Sequence, residues 1–163
     1  MPVLEKGALR ADDWQVVDDE AALPDAPVLI SLARLLRDAA LLAGRNAPLG
    51  VAIGNDVNPD VLAPLLPRLA LVQVVLPKSR DGRAFSQARK LREYLGYTGE
   101  IRVAGHVIPD HYAMLLRCGA STVVVAEGTD AAVWEASRKV VSIAYQHGLA
   151  AETPISLLRR KVA

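Results

Sequence analysis

Cysteine is nearly missing from this sequence: Cys118 is the only one among 163 residues. One thiol excludes an internal disulfide, a Cys-x-x-Cys redox pair and a cysteine zinc site within a single chain. In "LLRCGAS" it stands before a helix-ending glycine and reads as a buried, inert side chain. A large charge excess is also missing, since 19 basic residues face 18 acidic ones for a formal net charge of +1. That balance excludes the strongly basic footprint of a general nucleic-acid binder, so any basic patch must be local. No stretch approaches the roughly 20 apolar residues of a membrane span, and the start, "MPVLEKGALR", has no cationic segment leading into an apolar run. A soluble, cytoplasmic protein is expected. Neither a P-loop nor a Gly-x-Gly-x-x-Gly after a strand occurs, so no nucleotide or redox cofactor leaves a fingerprint.

What is present is apolar residue content. Hydrophobic residues make up 52% of the chain, and the mean hydropathy is +0.21. This lies on the apolar side for a soluble chain and predicts that some apolar surface meets a partner, a second copy included. The length suits one domain, residues 1–150, followed by a tail, 151–163, that ends in Arg159, Arg160 and Lys161 and reads as a frayed terminus.

Near the start, Met1 to Leu4 and Trp14 to Val17 are β-like runs around Lys6-Gly7 and Arg10 to Asp13, which predicts a short N-terminal β-hairpin over 1–17. The acidic stretch "DDEAALPDAP", Asp18 to Pro27, reads as a linker. From Val28 onward, apolar runs alternate with helical stretches. The runs are Val28 to Ile30, Gly50 to Ile53, Leu71 to Leu76, Ile101 to Ala104 and Thr122 to Ala126. Short, β-branched and without strict alternation, they read as parallel strands buried on both faces. Helices are predicted near Leu32 to Leu42, Pro59 to Leu66, Ala84 to Leu95, Pro109 to Cys118 and Ala131 to His147. Ser31, Asn58-Pro59-Asp60, Pro109-Asp110 and Thr129-Asp130 supply helix-start chemistry. The expected fold is a single α/β domain with a mainly parallel five-stranded sheet and helices on both faces. An arc of a β/α barrel has the same periodicity and stays open as the alternative.

Parallel strands bring every strand-to-helix loop to one edge, where α/β sheets bind ligands. That edge should carry Ser31, Gly54 to Asp56, Lys78 to Arg83, Gly105 and His106 with Asp110, and Glu127 to Thr129. Its most distinctive stretch is "KSRDGRAFSQARKLR". Lys78, Arg80 and Arg83 place three cations where a helix start already favours an anion, which costs a few tenths of a kcal/mol each unless an anion answers them. Asp81 offsets part of this, Gly82 permits close backbone approach, and Arg83 can fork onto an oxyanion. His106 is the candidate proton carrier of the same edge. It lies five residues before His111, a spacing that does not place two ligands on one helical face, so no metal site is predicted.

The same residues carry a resemblance. Pro77-Lys78, the Asp81-Gly82-Arg83 turn, Ser86, Ala88 with Arg89 or Lys90, and Leu91-Arg92 resemble the hallmark of an uncharacterised bacterial domain-of-unknown-function family. Gly96-Tyr97, Gly99-Glu100, Arg102, Gly105, Val107 and Asp110 continue the pattern, with His106 standing where the family has an aspartate and Ala84 where it has a glycine. Genes of that family commonly accompany those for assimilatory sulfite reductase, and members are named by association as probable oxidoreductases of sulfite reduction. The resemblance implies an accessory protein that docks on the reductase or its electron donor through the cationic edge. The alternative is an enzyme binding a small oxyanion or a phosphorylated cofactor at Lys78, Arg80, Asp81, Gly82, Arg83, Ser86 and Asp110. No cofactor follows from either reading.

Overall fold

A computed structural model describes residues 1–141, 144–145 and 147–149. The tail 151–163 falls outside the described residues. Every apolar run forms a strand: β4 (Val28–Ser31), β5 (Leu49–Ile53), β6 (Leu71–Leu76), β7 (Glu100–Gly105) and β8 (Thr122–Val124), paired parallel in that sequential order. Three further strands precede them in the chain, β1 (Val3–Glu5), β2 (Ala8–Arg10) and β3 (Gln15–Val16). The sheet therefore has eight strands, not five, in the order β2-β1-β8-β7-β6-β5-β4-β3. It is mixed, because β1 pairs antiparallel with both β2 and β8. The N-terminal hairpin closes between β1 and β2, with Lys6 and Gly7 both at positive φ in its turn. Trp14 to Val17 does not return to β1. Gln15 and Val16 pair in parallel with β4 at the far edge.

That connection dictates the shape. From Arg10, the end of one outer strand, to Gln15, the start of the other, is five residues, at most about 18 Å of extended chain. Eight strands laid flat at about 4.8 Å would hold those edges about 34 Å apart. The sheet must curl, and it forms a half-barrel whose open side residues 11–14 cross like a chord. The partial-barrel alternative thus describes the single α/β domain better than the open sheet.

Register explains which face is which. Val28, Ile30, Val51, Ile53, Val72, Val74, Leu76, Ile101, Val103 and Val123 share the outer face. They join one apolar cluster with Leu35, Ala84, Ala88, Leu91, Tyr112, Leu115 and Trp134 from the helices. Each such side chain contributes about 1.5–3 kcal/mol by leaving water. The inner face carries Ser31, Gly50, Ala52, Gln73, Glu100, Arg102, Ala104 and Thr122 in the same registers. Helices on both faces are thus not what the chain builds. A sequential strand order joined by right-handed crossovers puts the connections on one side, and the N-terminal segment covers the other.

The connections are more irregular than their periodicity suggests. The first breaks at Asp38 into α1 (Leu32–Arg37) and α2 (Ala39–Leu42). The second, Pro59–Leu62 and Leu66–Arg68, is two 3₁₀ turns, each with a proline in its first two positions, where its missing N–H costs nothing. α3 (Arg83–Arg89) runs on as a π turn over Lys90–Tyr94. A 3₁₀ turn, Pro109–His111, leads into α4 (Tyr112–Arg117), and α5 is Ala131–Val140. The last helix is therefore shorter than the expected Ala131 to His147, and His147 lies beyond it. Ser31 accepts from the Arg34 amide, Asn58 from Asp60 and Asp130 from Ala132, so these three caps are where the sequence reading puts them. The acidic linker is pinned by arginines on its backbone carbonyls, with Arg34 on Asp18 and Ala21, Arg37 on Asp19, and Arg45 on Pro24 and Ala26. No helix among the described residues is long and apolar enough to cross a membrane.

Candidate functional site

Since β4 to β8 run parallel, their C-terminal ends share one rim, and the loop 77–82 leaves β6 at its middle. Pro77, Lys78, Ser79 and Arg80 are all exposed. Among the described residues neither the Lys78 nor the Arg80 side chain has a hydrogen-bond or ion-pair partner. Arg83 differs. Its guanidinium grips Asp81 with Nε at 2.9 Å and Nη2 at 2.6 Å, while its amide donates to the same carboxylate at 3.1 Å. Asn55 Nδ2 from the β5 loop also donates to Asp81. Asp81 thus caps the start of α3, neutralises Arg83 and ties two rim loops together. Three free cations are reduced to two.

His106 is beside them. Its amide donates to the Leu76 carbonyl at 2.8 Å, extending the β6–β7 ladder by one step and setting residue 106 against the start of the cationic loop. Its exposed side chain has no partner among the described residues that would fix a tautomer. Ser86 is exposed on α3, and Gly82 takes an ordinary negative φ at the N-cap. Asp110 does not join the rim cluster. It accepts a hydrogen bond from Ser137 on α5 at 3.0 Å, which fastens the turn before α4. Gln87, outside the expected set, braces the rim from below by donating to the carbonyls of Gly54 and Val57 at 2.7 and 2.8 Å. Among the described residues no group of three or more His, Cys, Asp or Glu is disposed to hold a metal.

The inner face holds what the sequence reading missed. Arg102, on β7, has 0% exposure, yet it is charged. Nη1 donates to Asp12 at 2.8 Å and Nε to Glu100 at 3.0 Å. Nη2 also lies 3.0 Å from Glu100 without hydrogen-bond alignment, so its contribution there is Coulombic. Arg10 reaches Glu100 at 3.3 Å and Glu5 at 2.8 Å, and Thr122 donates to Glu100. Trp14 lies against Gly50, where a side chain would meet its ring at 3.0 Å. The crossing segment and the ion network fill one end of the half-barrel. Towards the rim the inner face stays partly open, with a cavity of about 500 Å³ lined by Val16, Asp18, Asp19, Leu29, Ser31 and Ala52.

The grip of Arg83 sets a pH dependence. The guanidinium, the Arg83 amide and the Asn55 amide together hold the Asp81 carboxyl well below the usual carboxylate range. A depressed folded pKa contributes stability that is present above the unfolded value, about 3.9, and is lost as pH falls below it. Asp81→Asn should therefore lower the melting temperature near neutrality, and the gap from the parent should close on acidification below about pH 4. Parallel melting curves from neutral to acid pH would contradict this, and because the pair is exposed the gap should shrink in salt.

Cys118, the lone thiol, is half-buried, and that burial raises its pKa, which suits an unreactive side chain. No curated protein matches the chain. A family described as bacterial protein of unknown function, DUF934, matches residues 50–156, from β5 through the rim loops that follow it, with Lys78, Arg80, Asp81 and His106. By that match over most of its length, the chain belongs to the DUF934 family of bacterial proteins of unknown function.

Proposed function

We propose that the chain is an accessory protein of assimilatory sulfite reduction that docks on the reductase or its electron donor through the cationic rim. The observation that carries this reading is the pair Lys78 and Arg80, exposed and without a partner on an outward loop. Long-range attraction needs charge that is not already spent, and these two side chains retain theirs. An enzyme that encloses a small oxyanion at the same loop is supported less well. Arg83, the residue best suited to fork onto an oxyanion, is committed to Asp81, and Pro77 to Arg80 are open to water. An acidic protein surface needs no enclosure. The choice of reductase or donor as partner rests on the family resemblance.

Lys78→Glu combined with Arg80→Glu should weaken association with purified sulfite reductase or its donor roughly tenfold or more, chiefly through the on-rate. Association of the parent should fall between about 0.05 and 0.3 M salt, and that of the variant should hardly change. Surface plasmon resonance on both partners reads each quantity. Equal binding by parent and variant, or binding indifferent to salt, overturns the proposal.

A further inference from the structure

The opposite edge of the sheet, where connections enter β5 and β6, carries a second pair of uncompensated cations. Arg45 precedes β5 and Arg68 precedes β6, and a single carbonyl ties them together. Leu42 O accepts the Arg45 amide at 3.1 Å and Nη2 of Arg68. The Arg45 guanidinium is fixed by Nη2 on the carbonyls of Pro24 and Ala26, while its Nε is buried without a partner. Several other guanidiniums close on carboxylates, as in Arg34 with Asp38, Arg37 with Glu20, Arg89 with Glu93 and Arg102 with Asp12. Among the described residues, the guanidiniums of Arg45 and Arg68 meet only carbonyls.

Between them opens a cleft of about 250 Å³, lined by Leu42, Arg45, Asn46, Pro48, Arg68 and Ala70. It shares Leu42, Arg45 and Asn46 with a wider depression that runs past Leu23 and Leu41 and is lined also by Asp25 and Arg34. Leu41, 77% exposed, gives that depression an apolar wall. A half-buried guanidinium whose partners are neutral keeps its desolvation cost without a countercharge to offset it. Arg45 is in that position and Arg68 is exposed beside it, so an anion between the two offsets the deficit at Arg45 and accepts from the N–H groups that the carbonyls leave free. One fork is already held in place, so less side-chain freedom is lost on binding.

We infer that this cleft binds a tetrahedral oxyanion, phosphate or sulfate, borne on a small organic body that lies along Leu23 and Leu41. The site is independent of the docking rim, which lies at the other ends of the same strands. The test titrates the full chain with inorganic phosphate and, separately, sulfate against chloride at equal ionic strength. Melting temperature and backbone amide resonances are followed together. A saturable rise of roughly 3–5 °C at ten times Kd is expected, with the largest resonance shifts at Asn46, Ala47 and Ala70. Arg68→Gln, which keeps a donor for Leu42 O, should weaken binding at least tenfold. Lys78→Glu with Arg80→Glu should leave it unchanged. Whichever anion gives the lower Kd identifies the headgroup. No saturable rise beyond chloride, shifts confined to 78–83, or unchanged affinity in a folded Arg68→Gln overturns the assignment. Should Arg68→Gln fail to fold, the resonance map of the parent decides alone.

Discussion

Replacing Arg102 by methionine should lower the unfolding free energy by about 3–5 kcal/mol, the largest loss expected from any single side chain on the inner face. Methionine matches the length of the arginine stem but leaves Glu100 and Asp12 without the guanidinium that both accept from. Arg10 answers Glu100 only at 3.3 Å, and nothing else described answers Asp12 with charge. Two carboxylates of low exposure would then share a closed space with one partly exposed cation. For a domain whose total stability is about 5–15 kcal/mol, the loss is a large share. The damage should begin locally, because Asp12 lies in the segment that closes the half-barrel. Trp14, two residues on, should show a red-shifted emission below the global transition.

Adding Glu100→Gln to Arg102→Met should recover part of the loss, since what the single change leaves behind is an unpaired charge and not a cavity. Urea unfolding followed by circular dichroism and by tryptophan emission measures both. A single variant within about 1 kcal/mol of the parent would mean that water or Arg10 replaces the guanidinium, and that the network does not close the barrel.

The same network shows where sequence reading stops. All five predicted apolar runs are strands because density of β-branched residues is a local signal, and Leu71–Leu76 needs no correction at either end. Strands without strict alternation read as buried on both faces, yet "EIRVAG" alternates, placing Glu100, Arg102 and Ala104 against Ile101, Val103 and Gly105. Gln73 and Thr122 pair in register with Arg102, so the polar stripe was written in three separate strands. Only the register shows that the three coincide. The strand β3 lies within the β-like run Trp14 to Val17, but its partner is not legible, because where two exposed edge residues pair is set by where the chain must go.

At the rim, exposure of Lys78 and Arg80 followed from turn chemistry, and adjacency of His106 followed from parallel pairing. The pairing of Asp81 with Arg83 was within reach, because carboxylate and guanidinium two residues apart across a glycine at a helix start can meet on the cap. Arg45 and Arg68 had no comparable mark. A lone cation before a strand is ordinary, and only the shared Leu42 carbonyl brings the two together.

Gly105→Ala should be the most damaging change at the rim. Gly105 ends β7 at φ +105°, opposite Leu76, and a Cβ there would lie 2.3 Å from the Leu76 carbonyl oxygen and 3.0 Å from its carbon. Both are backbone atoms, so no rotamer relieves the contact. The φ alone costs an L-residue about 1–3 kcal/mol. Moving β6 away also lengthens the His106 amide to Leu76 carbonyl bond, 2.8 Å in the parent, worth about 0.5–1.5 kcal/mol. A total loss of about 2–4 kcal/mol is expected in urea unfolding. Because Leu76 leads directly into Pro77 and Lys78, the displacement should also move the cationic loop and weaken partner association at temperatures where the variant stays folded. Gly82→Ala is the matched control in the same loop region. Its φ is −73° and nothing lies within 4 Å of the added methyl, so it should be neutral or stabilising by up to about 1 kcal/mol. Equal losses from the two substitutions would show that the β6–β7 junction does not hold the rim in place.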